Sequence, residues 1–336
     1  AAFGTMNVTK LNEALVDTPP FLLDVREAAE IEKDGYITGA VAIPVREVLN
    51  NLDKLPGLDE SIVIYCASGH RGAMVQAALR ILGYTDVKNL GGGLGAWKKA
   101  NLAVETGAPA APAAISTPIV ADQPLYEALN GFFTSMPDSF YATSAAKLAE
   151  ALTASPAPVL IDTRTQADWD KEGYIEGATL IPFNDFFKNL DKLPADKAAP
   201  VVVYCGSGHR GAIVMMAMRF MGYTDVINLG GGLGAWKAAA MPVVGWADWS
   251  AIWTEYLAAI PEGYYTITAA NLNTALVENP PFLLDVREAA EVEAGFIAGA
   301  VHIPVREVLK NLDKLPAMDA PIVIYCASGA RGAMVM

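Results

Sequence analysis

Three stretches decide the reading: IVIYCASGHRGAMV at residues 62–75, VVVYCGSGHRGAIV at 201–214 and IVIYCASGARGAMV at 322–335. Each carries an apolar, β-branched run into Tyr-Cys, turns through a short Gly-containing loop and begins a helix-like run. A parallel strand buried on both faces reads as a continuous apolar run. Its C-terminal end, with a loop and a helix start beyond it, is where open α/β sheets bind ligands. All three cysteines of the chain, Cys66, Cys205 and Cys326, stand at this junction. A cysteine kept only as a small buried hydrophobe would be free to appear anywhere in a core. That bland reading suits one copy far better than three aligned ones.

The junction suits a reactive sulfur. The first amides of a helix have no intrahelical partner and carry the positive end of its dipole. A loop of inward-pointing amides forms a nest for anions. A thiol placed there has its pKa lowered, and the thiolate is the nucleophile. Arg71, Arg210 and Arg331 follow their cysteines by five residues and add a fixed positive charge. The expectation is an anionic sulfur nucleophile beside an anion-binding cradle.

Working outward, 336 residues suggest two or three domains. The composition is 53% hydrophobic, enough for substantial cores, and the net charge of −13 argues against binding nucleic acid through bulk charge. Three cysteines in equivalent places do not make a disulfide framework. No apolar run reaches about 20 residues, so no membrane span is expected. The chain starts at Ala1, and residues 103–122 are rich in Ala and Pro. These features slightly favour an exported or periplasmic protein over a cytoplasmic one, with the compartment otherwise unknown.

Along the first repeat, 3–17 read as a short strand and an amphipathic helix, 21–26 as a buried strand, 27–35 as a helical turn and 39–44 as another strand. Residues 45–55 read as helix, 72–82 as the helix after the cysteine, 86–90 as the last strand and 95–100 as a terminal helix. Such alternation predicts a parallel α/β sheet with helices on both faces. Residues 103–122 read as a semi-stiff, poorly structured linker. Residues 123–140 read as an amphipathic helix docking on the domain that follows, and 245–265 form a cognate segment. Neither carries the basic face of a membrane-surface helix.

The ordered motifs resemble three tandem rhodanese-like sulfurtransferase domains. Repeat one has LLDVREAAE (22–30), GYITGAVAIP (35–44), LDKLP (52–56), the Cys stretch and LGYTDVKNLGGGLGAW (82–97). Repeat two has LIDTRTQADW (160–169), GYIEGATLIP (173–182), LDKLP (190–194) and MGYTDVINLGGGLGAW (221–236). Repeat three has LLDVREAAE (283–291), GFIAGAVHIP (295–304) and LDKLP (312–316), and nothing equivalent to NLGGGLGAW follows. The reading divides the chain into domain 1 (1–102), a linker and docking helix (103–140), domain 2 (141–240), a connecting helix (241–263) and domain 3 (264–336). In the family the missing strand lies inside the sheet. The expectation is therefore a longer chain, or self-association in which another molecule completes the third domain.

The resemblance implies that Cys66, Cys205 and Cys326 take a sulfane sulfur from a small anionic donor such as thiosulfate. Each becomes a persulfide and yields the sulfur to cyanide or a thiol, with no cofactor and no metal. It implies that the backbone of Ala67, Ser68, Gly69, His70 and Arg71, and of Gly206, Ser207, Gly208, His209 and Arg210, cradles the sulfur. Arg71, Arg210 and Arg331 would position the donor. His70 and His209 stand either as donors to it or as ordinary loop-surface residues. Ser68 and Ser207 are expected chiefly as helix caps. Arg26 and Arg164 stand as second substrate contacts, or as loop-fixing salt bridges with Glu30 or Asp168 as partner. Asp24, Asp162 and Asp285 would give structural support. The glycines at 91–93 and 230–232 are expected to allow close backbone packing beside the site.

The chain departs from the family pattern in two places. Tyr36, Tyr174 and Phe296 replace a common His, and Ala330 stands where repeats one and two have His. If that His matters, repeat three is weaker or inactive. A non-catalytic scaffold or sulfur carrier is the alternative class. A cysteine phosphatase or arsenate reductase fits less well, because those have five residues between Cys and Arg and this chain has four. The start CGSG in repeat two is similar to that of mercaptopyruvate-using relatives, although His-Arg does not continue that pattern. The histidines, His70, His209 and His302, fall in separate repeats without metal-ligand spacing.

Overall fold

The computed structural model describes residues 4–109, 111–117, 122–245, 249–317 and 320–335. The chain forms two compact units, Ala1–Ala247 and Asp248–Met336. The first contains repeats one and two, and the second contains repeat three.

Repeat one builds five parallel strands: β1 (Thr5–Met6), β2 (Phe21–Asp24), β3 (Val41–Ala42), β4 (Ile62–Tyr65) and β5 (Val87–Leu90). Their spatial order is β1-β5-β4-β2-β3. Repeat two repeats it with β6 (Ala142–Thr143), β7 (Val159–Asp162), β8 (Thr179–Leu180), β9 (Val201–Tyr204) and β10 (Val226–Leu229), ordered β6-β10-β9-β7-β8. The strand before each cysteine is thus central, with its C-terminal end next to that of β2 or β7.

The apolar run of β4 serves two cores at once. Ile62 and Ile64 face the cluster shared with repeat two, while Val63 and Tyr65 face the outer cluster with Leu94 and Trp97. β9 divides in the same way, Val201 and Val203 against Val202 and Tyr204. This is the period-two logic of a strand covered on both faces. The helix after each cysteine, His70–Ile81 or His209–Phe220, packs against its counterpart in the other repeat. Ala73, Ala78, Ala212, Met215 and Met218 bury fully along this seam. Its sequence alternates poorly as a surface helix because both of its sides are covered.

Several elements differ from the sequence reading. The helix after the cysteine begins at His70, two residues early, because Gly69 in the left-handed conformation already serves as N-cap. Residues 48–54 form 3-10 helix with a kink at Asn51. The Ala/Pro linker is tied down: Glu105 pairs with Tyr36, and the Ile115 and Ser116 amides donate to the Asp53 carbonyl. The helix Gln123–Thr134 docks on the preceding repeat as well as the following one. Tyr126 Oη donates to the Leu49 carbonyl, and Phe132 packs on Phe220.

In the second unit, helix Trp249–Ala259 precedes the repeat, and three strands are described: β11 (Phe282–Asp285), β12 (Val301–His302) and β13 (Ile322–Tyr325), ordered β12-β11-β13. Among the described residues, β13 pairs only with β11 and its other edge carries no strand. Residues 246–248, at the start of the connecting segment, lie outside the described residues.

Candidate active site

Each cysteine leaves its strand and meets the amide of the glycine three residues on. Gly69 N–H donates to Cys66 Sγ at 3.1 Å, Gly208 N–H to Cys205 Sγ at 3.2 Å and Gly329 N–H to Cys326 Sγ at 3.1 Å. These glycines have φ between +85° and +93°, a region closed to most side chains. The turn aims the first helical amides at the sulfur. In repeat three, burial works against the thiolate, but the amides of Gly332, Ser328, Arg331 and Gly329 outweigh it and hold the Cys326 thiol below its ordinary pKa.

The glycine run clamps the loop from behind. Leu94 and Gly95 amides donate to the Cys66 and Ala67 carbonyls, and a Cβ at Gly93 would lie 2.3 Å from the Cys66 carbonyl oxygen. Repeat two matches, with Leu233 and Gly234 amides on Cys205 and Gly206 and a Cβ at Gly232 reaching 2.2 Å. The expected close packing is what these glycines permit. Ser68 and Ser207 are exposed and do not cap: Gly69 and Gly208 occupy the N-cap without a side-chain bond.

Arg71 lies beside the sulfur and forms two bonds with Glu30, at 2.5 and 2.6 Å. Burial opposes the charge on Glu30, but Arg71 outweighs it and holds the carboxyl below its usual range. Arg331 and Glu291 repeat the pair in the third repeat at 2.6 Å. Arg210 stands 3.8 Å from Asp168. The arginines stand where expected, with a carboxylate partner that the sequence reading had given to a different arginine.

Arg26 and Arg164 correct that reading. Arg26 binds Asp24 through Nε and Nη2 and donates to the Gly35 carbonyl, and Arg164 does the same with Asp162 and Gly173. Both side chains are 1% exposed, and their bonds tie β2 and β7 to the following turn. Glu30 and Asp168 offer them only backbone carbonyls. Arg287 and Asp285 make the equivalent pair at 2.6 Å. Arg26 also borders a cavity of about 510 Å³ with Ile31, Pro44 and linker residues such as Pro109, which Cys66 does not line.

His70 and His209 are not loop-surface residues. Both are buried between the two repeats. His70 Nε2 donates to the Phe140 carbonyl at 2.7 Å, and its Nδ1 faces Asn228 Nδ2 at 2.7 Å. Burial is the main cause of a pKa pushed down to about 4. In repeat three Ala330 stands at the position of these interface histidines.

Three elements escaped the sequence reading. Phe140, from the lead-in to repeat two, lays its ring 4.5 Å from the Arg71 guanidinium and 4.8 Å from that of Arg46. Arg46 fastens this turn by donating to the Met136 carbonyl and to Asp138, both at 2.9 Å. Cys66 is itself 1% exposed. Phe140 and Tyr141 both have φ above +50°, strain that the surrounding bonds hold in place. Asn89 and Asn228 were legible as polar residues inside buried strands, at the same place in VKNLGGG and VINLGGG. Phe140 gave no such signal, because its partner lies in another repeat.

The rhodanese-like domain model matches residues 7–100, 144–239 and 268–335. The chain belongs to the rhodanese-like domain family. A sulfurtransferase of Allochromatium vinosum is 38% identical over 95 residues, 28% of this chain and 87% of that protein. The 3-mercaptopyruvate sulfurtransferase of Escherichia coli is 25% identical over 265 residues, 65% of this chain and 86% of that one. The probable adenylyltransferase/sulfurtransferase MoeZ of Mycobacterium tuberculosis is 39% identical over 85 residues, 25% of this chain and 21% of that protein, so the chain spans about a fifth of its length. All three of these relatives are named as sulfurtransferases, and the repeated parallel sheet is the rhodanese fold.

Proposed function

We propose that the chain is a multi-site sulfurtransferase that carries a sulfane sulfur as a cysteine persulfide. The observation that carries this reading is the repeated bond from the helix-start glycine N–H to Sγ. A negative sulfur at that point meets backbone N–H groups and the positive end of a helix. The thiolate attacks the outer sulfur of thiosulfate, the S–S bond of the donor breaks, and sulfite leaves with the bonding pair. The product Cys–S–S⁻ keeps one negative charge within the same cradle. A thiolate or cyanide then attacks the outer sulfur and returns the cysteine thiolate, splitting one transfer into two easier displacements.

Arg71, Arg210 and Arg331 favour an anionic donor by their charge. Thiosulfate and mercaptopyruvate both satisfy that requirement, and the four-residue spacing between Cys and Arg fits a transferred atom better than a tetrahedral oxyanion. The scaffold alternative has no observation in its favour beyond the burial of Cys66 and Cys205.

The test is intact-mass spectrometry after incubation with thiosulfate, mercaptopyruvate or glutathione persulfide, with each cysteine changed to Ser in turn. Added sulfur that maps to Cys66, Cys205 or Cys326 and leaves on treatment with cyanide supports the reading. No added sulfur from any of the three donors sinks it and leaves a binding scaffold.

A further inference from the structure

We propose that Asn89, Asn228, His70 and His209 are positioning residues through which each of the first two sulfur loops is aligned by the other repeat. The inference rests on the reading of Cys66 and Cys205 as nucleophiles.

Asn89 Nδ2 donates to the Gly69 carbonyl at 2.8 Å and to His209 Nδ1 at 2.8 Å. Asn228 Nδ2 donates to the Gly208 carbonyl at 2.9 Å and to His70 Nδ1 at 2.7 Å. A carbonyl can only accept, so the amide nitrogen must face the glycine. Its second hydrogen then points at the imidazole, which makes Nδ1 the unprotonated nitrogen. For His70 the proton is left on Nε2, where the Phe140 carbonyl receives it. Every bond in the set follows from that one requirement.

The glycine held by each asparagine is the residue whose N–H meets the sulfur. The path therefore runs from Cys66 Sγ through Gly69 and Asn89 to His209, whose neighbour Gly208 bonds Cys205 Sγ. The second path runs back through Asn228 and His70. Both asparagines are fully buried. Space for their amides comes from Gly72 and Gly211, where a Cβ would lie 2.2 and 2.3 Å from the asparagine Oδ1. The motif Gly-His-Arg-Gly thus supplies the N-cap, the cross-repeat acceptor, the cation and the slot for the amide. Repeat three, with Ala330, makes the Gly329–Cys326 bond without such a bridge, so the bridge restrains the cradle and does not create it.

The test isolates one sulfur and perturbs the opposite repeat. In a Cys205→Ser, Cys326→Ser background only Cys66 reports. Its alkylation by iodoacetamide is followed by intact mass from pH 5 to 9, with His209 intact, His209→Ala and His209→Asn. His209→Ala is expected to raise the pH midpoint of Cys66 by about half a unit to one unit, as a thiolate loses a well-aligned N–H. His209→Asn, whose Oδ1 can take the Asn89 hydrogen, is expected to restore it. An unchanged midpoint, with or without a faster rate, overturns the proposal and leaves a packing role. So does a shift that His209→Asn fails to reverse. Should His209→Ala fail to fold, His70→Ala read at Cys205 in a Cys66→Ser, Cys326→Ser background applies the same test through the other arm. Alkylation needs no sulfur donor, so this result stands apart from the success or failure of sulfur loading.

Discussion

The loops of repeats one and three differ at one residue in fourteen, His70 against Ala330, yet they occupy different environments. Locally they agree: the glycine N–H meets Sγ at 3.1 Å in both, and Arg pairs with Glu through two bonds in both. Around that common geometry, Cys66 is 1% exposed in the unit where repeats one and two share a core, whereas Cys326 is partly exposed and lines a cavity of about 470 Å³ with Tyr265, Ile322 and Gly329. Short-range sequence sets the cradle, and packing against other segments sets access to it. The substituted residue itself is the one that reaches across to the neighbouring repeat.

The largest expected effect is in labelling order. A brief iodoacetamide pulse on the intact chain is expected to modify Cys326 about a hundredfold faster than Cys66, because its thiol is more open to the reagent. Phe140→Ala, which removes the ring lying on Arg71, is expected to narrow the gap about tenfold. Equal labelling of the two cysteines by peptide mapping would erase the comparison.

A second difference concerns the paired arginines. Arg71 is 7% exposed and its Glu30 partner 32%. Arg71→Ala removes a buried guanidinium and its pair with Glu30, and is expected to cost about 2–4 kcal/mol in urea unfolding of the first unit. Arg331→Ala breaks a pair near the surface and is expected to leave the stability of the second unit unchanged. Similar losses in both units would mean that burial does not separate them.

The smallest effect is a pH dependence confined to the first unit. The folded pKa of His70, about 4, lies below the ordinary value of 6.5. Between those values the unfolded chain binds the extra proton, so stability is fully present above about 6.5 and declines as pH falls toward 4. Melting curves at pH 7 and pH 4.5 are expected to show this loss, and His70→Gln is expected to flatten it. An unaltered slope in the variant would remove His70 from the account.

The sequence by itself determined the repeated parallel α/β domain, the cysteines at the strand exits, the Gly-lined loop and the arginine five residues on. These are short-range matters, fixed by apolar periodicity, left-handed glycines and the unpartnered amides of a helix start. It gave the right residues but the wrong carboxylate for Arg26 and none for Arg71, because a list of charges does not say which carboxylate lies nearest in space. It also left His70 and His209 as either donors at the site or loop-surface residues, since nothing local marks a helix start as an interface. Only the tertiary structure decided that Phe140, from the lead-in to repeat two, covers Arg71. The same holds for the asparagine of one repeat holding the histidine of the other. Those contacts join residues 69 to 158 positions apart, and they exist only once two separately folded sheets pack their cysteine helices against each other.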